Sequence, residues 1–375
     1  MTRREVFERL LIASAAAGAH GCASRRTQVV SARSLPHLKF PPVHVSADRV
    51  TRTTVGFRPF RPSGFVLGTE KLDSKLLVHN YGHGGGGMTL SWGTADLAVQ
   101  MAAESGAREF AVLGAGGVGL ATARLLQRRG AQVTIYAKSL PPDTTSNKSG
   151  AQWWPVSVFD RDKLTPAFRD VFLRAARLSY GHYQTMIGEE YGIRWVRNYL
   201  LTDEPPLEGL LLGKESPMRD LYPELRDLRQ DEHPFASRHV RQFDTMMIEP
   251  PIYLNAMLRD FRIAGGKVVV GELRTKQEIA GLPEPVVMNC TGLGSRELVG
   301  DQELTPIKGQ LSVLLPQPEI DYTVLQERFY MFPRRDGILL GGTFERGVSD
   351  PEPNREAEKS VIEAHQRIFA PLARG

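Results

Sequence analysis

Residues 109–138 read EFAVLGAGGVGLATARLLQRRGAQVTIYAK, and no other stretch narrows the fold as far. An apolar strand, Phe110–Leu113, runs into Gly114-Ala115-Gly116-Gly117-Val118-Gly119. A helix follows, with Leu120, Ala121, Ala123, Leu125 and Leu126 on its apolar face, and a second strand, Gln132–Tyr136, closes a β-α-β unit. Gly114 permits the tight turn, Gly116 lets backbone approach a pyrophosphate, and Gly119 lets the helix pack close to the strand. The helix N-terminus then offers free N–H groups and a positive dipole end to phosphates. An acidic residue is expected at the end of the second strand to hold ribose hydroxyls, but Lys138 stands there. The chain is therefore α/β, with a parallel-sheet dinucleotide domain at its centre.

Composition sets outer limits. The 375 residues are 41% hydrophobic and 24% charged, which is ordinary for a globular protein and suggests two domains. The net charge of +5 is spread along the chain. No Lys/Arg block with interleaved aromatics occurs, so a nucleic-acid surface is not indicated. Cys22 and Cys290 are the two cysteines, which excludes a disulfide framework unless they pair with each other. Cys290 closes the apolar run Val286-Val287-Met288-Asn289 and reads as a small core residue. No Cys/His spacing suits a metal, and none is expected.

The first residues, MTRREVFERLLIASAAAGAHGCASRR, resemble a twin-arginine export signal: Arg3-Arg4, then Phe7, then a short apolar run from Leu10 to Ala17. That run is far shorter than the ~20 residues needed to span a bilayer. Cys22 sits where a lipoprotein would be cleaved and lipidated, though His20 departs from that pattern. The expectation is a signal over 1–26 and a tether over 27–49. The product would be periplasmic or lipid-anchored through Cys22, and cytoplasmic if the signal reading is wrong.

Further motifs add to the glycine turn. Thr144-Thr145-Ser146 leads to Gly150-Ala151-Gln152-Trp153-Trp154-Pro155. Cys290-Thr291-Gly292 follows a strand, Pro306-Ile307-Lys308-Gly309-Gln310 reads PxxGQ, and Leu340-Gly341-Gly342 follows an apolar run. In this order they resemble the D-amino-acid oxidase family, which binds FAD. Residues 78–93, VHNYGHGGGGMTLSWG, nearly match that family's signature, and Val55–Pro62 resembles its GxRPxRP strand. In the family both lie at the C-terminal end, whereas here they precede the glycine turn. The resemblance therefore implies a circular permutation. Residues 50–107 would complete the FAD domain and 108–160 hold the dinucleotide fold. Residues 161–280 would form the substrate domain, 281–310 return to the FAD domain, and 311–375 supply substrate-domain strands and a final helix (Glu356–Phe369). The substrate domain would be a mixed antiparallel sheet, interleaved in sequence with the FAD domain.

The resemblance also implies roles. FAD would be held by Gly114 to Gly119, Lys138, Thr144, Thr145, Ser146, Gly150, Ala151, Trp153, Cys290, Thr291, Gly292 and Arg58, and by the signature loop at Gly84, Gly86, Gly87, Met88 and Thr89. The family has a side chain at Gly86, so the loop is expected to be more open here. Gly85 would offer its carbonyl to the substrate amine, and His83 is read as structural. On the strand Arg328–Arg335, Tyr330, Phe332 and Arg334 share one face. Arg334 is the expected carboxylate clamp, because guanidinium binds carboxylate bidentately, with Arg328 second. Trp153 and Trp154 are candidates for the pocket wall. The family's lid tyrosine has no counterpart; His239, Arg241 and Phe243 are nearest, and Tyr253 opens a helix where packing is the simpler role. The implied reaction is FAD-dependent oxidation of a D-amino acid, with O₂ as acceptor. The alternatives are a glycine- or sarcosine-type amine oxidase, a dehydrogenase using another acceptor, and a non-catalytic flavin-binding protein.

Overall fold

The computed structural model describes residues 40–150, 152–205 and 209–372. The export signal, Cys22 and most of the tether lie outside the described residues, as does Ala151. Along the chain come β1 (Val50–Phe60), β2 (Val66–Leu72), β3 (Lys75–Tyr81), α1 (Ser91–Ala103), β4 (Glu109–Leu113), α2 (Gly117–Arg128) and β5 (Gln132–Ala137). Next are α3 (Pro166–Gln184), β6 (Ile193–Thr202), β7 (Arg226–Leu228), β8 (His239–Ile248), α4 (Pro250–Ile263), β9 (Lys267–Val270), α5 (Lys276–Ala280) and β10 (Val286–Asn289). The last are α6 (Ser295–Leu298), β11 (Thr305–Leu314), β12 (Tyr322–Gln326), β13 (Phe329–Arg334), β14 (Gly337–Gly341), β15 (Glu345–Arg346) and α7 (Arg355–Phe369).

These strands make two sheets. A six-stranded sheet runs β2-β3-β10-β4-β5-β9, parallel from β3 onward, with β2 antiparallel at one edge. A nine-stranded, largely antiparallel sheet runs β1-β11-β14-β13-β12-β6-β8-β7, with β15 on β11. Its one parallel pair joins β12 to β6. This is a Rossmann-like cofactor domain with a mixed substrate-domain sheet.

Local chemistry accounts for the helices. Thr165 caps α3 through the Phe168 N–H, with Pro166 at the first helical position. Thr275 and Glu278 form a reciprocal capping box on α5, and Asn354 caps α7 through the Glu356 and Ala357 N–H groups. The face of α2 that carries Leu120, Ala121, Ala123, Leu125 and Leu126 is buried. Those side chains share one core with Val112, Trp92 and Trp153.

Segment membership differs from the expected domains at two places. Residues 50–107 do not all join the cofactor sheet, because β1 pairs antiparallel with β11 in the larger sheet. Within 161–280, β9 instead joins the cofactor sheet as the parallel neighbour of β5. The reason is hydrogen-bond supply: β5 would otherwise be an unpaired edge, and the short Lys267–Val270 run covers it. Among the described residues no helix is long and apolar enough to cross a membrane.

Candidate active site

A cavity of about 1520 Å³ opens at the C-terminal ends of the parallel strands and extends beneath the larger sheet. That is where open α/β sheets bind ligands, and it exceeds the ~300–1,000 Å³ of a typical small-molecule site. One wall is backbone. Gly114 follows β4 at φ +100, and a Cβ there would lie 2.7 Å from the Cys290 carbonyl oxygen. Gly116 caps α2, and the Gly117 N–H donates to Ser146 Oγ at 3.0 Å. A Cβ on Gly119 would lie 2.0 Å from the Gly114 carbonyl oxygen. Gly119 therefore sits behind the wall and lets α2 meet the turn; it does not line the cavity.

The signature loop packs onto this turn. Met88 Sδ occupies the space a side chain on Gly117 would need, and Thr89 Oγ1 donates to the Gln152 carbonyl at 3.3 Å. Gly84 has φ +55, and a Cβ there would lie 2.2 Å from the Ser157 carbonyl oxygen. Gly85 is exposed toward the cavity, its N–H donating to that same carbonyl at 2.8 Å. His83 lines the cavity too, yet its ring stacks on Phe65 and its Nε2 lies 2.9 Å from Thr94 Oγ1. Burial pushes the His83 imidazole down to about 3, so it is neutral across the working range.

The structure brings Arg58, Lys138, Thr144, Thr145, Ser146, Gly150, Cys290, Thr291, Gly292, Gly84, Gly87, Met88 and Thr89 to this cavity, together with Gly114 to Val118. Lys138 is turned toward Glu272, at 3.2 Å. Burial pushes the Cys290 thiol up to about 12, which leaves it an inert wall atom.

Four expected contacts are corrected. Arg334 is off the cavity wall: its guanidinium is held by both Asp336 carboxylate oxygens, at 2.8 and 2.7 Å, and by the Ser149 carbonyl at 3.1 Å. A bidentate ion pair two residues away outcompetes any ligand for that fork. Tyr253 is fully buried and accepts from Trp92 Nε1 at 2.7 Å, as a core residue. Trp153 is also in the core, edge-on to Tyr180, while its neighbour Trp154 lines the cavity. Gly86 faces Val158 and Leu90, not the cavity, so those side chains close the space that the missing one leaves. Ala151 is outside the described residues. Of the lid candidates, Arg241 pairs with Asp227 at 2.7 Å, and neither it nor His239 and Phe243 line the main cavity.

One pairing and one residue were missed. On the larger sheet, Arg58 (β1) and Tyr330 (β13) lie across a floor of glycines. A Cβ on Gly309 would be 2.7 Å from Arg58 Nη1, and one on Gly341 would be 2.0 Å from Tyr330 Cζ. The Arg58 guanidinium acts on the Tyr330 hydroxyl from close by and approaches the Thr343 carbonyl at 3.4 Å. Both neighbours are neutral, and among the described residues no carboxylate forms a salt bridge with Arg58. Burial raises the Tyr330 phenol above its ordinary value, against the pull of Arg58, so it keeps its proton. The signal for this pair was glycine at 309 and 341 in otherwise bulky strands. Second, Asn80 at the end of β3 is fully buried beside the cavity, and neither Oδ1 nor Nδ2 has a partner among the described residues. An unpaired buried amide is costly.

A glycine cradle at a helix N-terminus, an elongated cavity and an unsatisfied amide fit a dinucleotide carrying phosphate acceptors and hydroxyl donors. The family model for FAD dependent oxidoreductases (DAO) matches residues 27–101 and 109–374. The chain belongs to this family. FAD is its cofactor, and it is an oxidoreductase related to the D-amino-acid oxidases. A D-amino-acid oxidase of Rubrobacter xylanophilus is 27% identical over 267 residues, covering 67% of this chain and 74% of that protein. One from Streptomyces coelicolor is 29% identical over 263 residues, covering 68% and 75%. Human D-aspartate oxidase is 28% identical over 262 residues, covering 68% and 73%. Among solved structures, glycine oxidase from Geobacillus kaustophilus superposes with a TM-score of 0.53 at 16% identity, covering 71% of this chain and 80% of that one. L-proline dehydrogenase from P. horikoshii gives 0.52 at 17%, covering 72% and 78%. These two share the fold.

Proposed function

We propose that the enzyme oxidises a D-amino acid to the imino acid, which hydrolyses to the 2-oxo acid and ammonia, with O₂ taking the electrons to give hydrogen peroxide. The observation that carries this reading is the Arg58–Tyr330 pair, a cation with a phenol donor and, among the described residues, no carboxylate in a salt bridge with it, facing the cavity from the glycine floor. That pair suits a substrate carboxylate: the guanidinium offers two N–H donors and the phenol a third. Gly85, on the signature loop, presents backbone to the α-amino group. Arg328 lines the cavity from the exposed β12–β13 turn, where its guanidinium lies 4.8 Å over the Phe329 ring, and serves as an outer guide for anions.

Bound FAD would supply the hydride acceptor for the substrate α-hydrogen and the route of the electron pair to O₂. The chain's own work is positional. Gly114 to Val118 and Ser146 hold the pyrophosphate region, and Met88 and Thr89 pin the loop that carries Gly85. Trp154, Leu200, Leu325 and Phe332 exclude water from the reacting carbon. The test is anaerobic mixing of the flavoprotein with D- and L-amino acids and with glycine and sarcosine, followed by O₂. Bleaching by D-isomers, then peroxide on aeration, is expected. Bleaching by glycine or sarcosine alone, or reduction without peroxide, overturns this reading.

We also propose that the chain is circularly permuted relative to its relatives. Residues 50–103 supply an edge strand to one sheet and β2–β3 to the other, and residues 104–108 alone join α1 to β4. A chain carrying residues 46–107 after Gly375 should fold and hold FAD; failure to do either rejects the permutation. Export through residues 1–26 is proposed on the same footing. Arg3→Lys with Arg4→Lys should stop translocation of a fused folded reporter, and Cys22→Ser should release any lipid-anchored fraction.

A further inference from the structure

Gln152 belongs to the segment that crosses from the signature loop to the larger sheet, and its backbone helps hold that segment in place. An isolated bridge pairs it with Met247, and its carbonyl accepts from the Trp154 N–H at 2.8 Å and from Thr89 Oγ1 at 3.3 Å. The side chain is not needed to hold the segment. It belongs to a residue that is only 6% exposed and lines the cavity. Neither Oε1 nor Nε2 has a hydrogen-bond partner among the described residues. A buried amide left in that state costs more than an apolar side chain of the same shape. It implies a ligand that offers one acceptor and one donor together.

Two contacts locate the segment that carries this amide. On one side Thr89, at the end of the signature loop, bonds Gln152 directly. On the other, Gly150 runs so close to β13 that a Cβ there would lie 2.9 Å from the Phe332 ring and 3.4 Å from the Tyr330 ring. Tyr330 neighbours Arg58, whose charge acts on its phenol. The segment carrying Gln152 therefore runs from the signature loop to β13, which carries Tyr330, and its side chain lines the cavity along that interval. An α-amino acid carries a carboxylate and an ammonium on one carbon. A carboxamide carries an N–H donor and a carbonyl acceptor on one carbon, so the two are complementary.

We infer that Gln152 binds the substrate zwitterion, its Nε2–H donating to the carboxylate and its Oε1 accepting from the α-ammonium, and so selects amino acids over plain acids and plain amines. The inference rests on the amino-acid oxidase reading above.

The test uses the FAD-loaded enzyme and two ligands that cannot react: an α-methyl D-amino acid, which lacks the α-hydrogen, and the carboxylate of the same side chain without its amino group. Binding is read from the flavin spectrum, and FAD affinity is read separately by fluorescence titration of the apoprotein. Gln152→Leu should weaken the α-methyl amino acid ~10-fold or more, because hydrogen bonds to two charged groups are lost. It should weaken the plain carboxylate ~3-fold at most and leave FAD affinity unchanged. Gln152→Met, closer in shape, gives the same readout should the leucine variant fold badly. Gln152→Glu keeps an acceptor but repels the carboxylate, and should weaken both ligands. Weakened FAD binding with unchanged amino-acid binding overturns the inference and assigns the amide to the cofactor. No change in either binding overturns it as well. A wild-type enzyme that holds FAD but binds no D-zwitterion overturns the oxidase reading itself, whereas zwitterion binding that ignores Gln152 overturns this inference alone.

Discussion

The two walls of the cavity are built differently. The cofactor wall is backbone: glycines at 84 and 114, with Gly119 behind them, leave no room for side chains because they meet other main chain, and Gly116 meets the Ser146 hydroxyl. The opposite wall is side chain: Arg58, Tyr330, Phe332, Trp154 and Gln152 project from strands and loops whose backbone is ordinary. A wall of main chain tolerates almost no substitution and looks alike wherever it occurs. A wall of side chains can change its ligand one residue at a time, which is how one fold hosts many substrates.

The sharpest way to break that contrast is on the cofactor side. Gly119→Ala places a methyl 2.0 Å from the Gly114 carbonyl oxygen, and neither backbone segment can retreat. A loss of about 3 kcal/mol of stability is expected, together with loss of bound flavin, read by melting and by absorbance of the purified protein. Arg58→Leu should leave FAD bound while kcat/KM for D-amino acids falls ~100-fold, equivalent to about 2.7 kcal/mol. An unchanged KM would return the clamp to Arg328.

Acid tests the signature loop. The buried His83 imidazole has its folded value pushed down to about 3, against an unfolded value near 6.5. Between those limits the unfolded chain binds more protons, so stability is complete above pH ~6.5 and falls with pH below it. The His83 share of the loss by pH 5 is about 2 kcal/mol. Denaturant midpoints at pH 7.5 and 5, compared with His83→Gln, measure it. Arg334→Met gives the smallest effect: about 1–2 kcal/mol of stability, discounted because Asp336 is a third exposed, with KM unchanged. A large rise in KM would restore Arg334 to the substrate wall.

The same contrast explains what could be read in advance. The β4-α2-β5 unit was legible to within a residue or two, because each glycine there meets a steric demand that sequence records directly. The expected helix over Glu356–Phe369 appears as Arg355–Phe369. Side-chain roles were less legible. Strand alternation correctly put Arg334 on the face of Tyr330 and Phe332, but it could not show Asp336 in the next turn capturing the guanidinium. Adjacent tryptophans at 153 and 154 must face opposite ways on an extended segment, yet alternation does not say which one faces the core. Gln152 left a faint trace, as a lone amide in a run that is otherwise small or aromatic.

The long-range pairings of the first strands also set an order of events during synthesis. Val55 waits for Gln310, and Leu77 waits for Val287. At ~5–20 residues per second, the ribosome needs roughly 10–50 s to deliver those partners after β1 has emerged. The β4-α2-β5 unit can close while still tethered to the ribosome. The β2–β3 hairpin, with its apolar face and an open edge, must be shielded until β10 arrives.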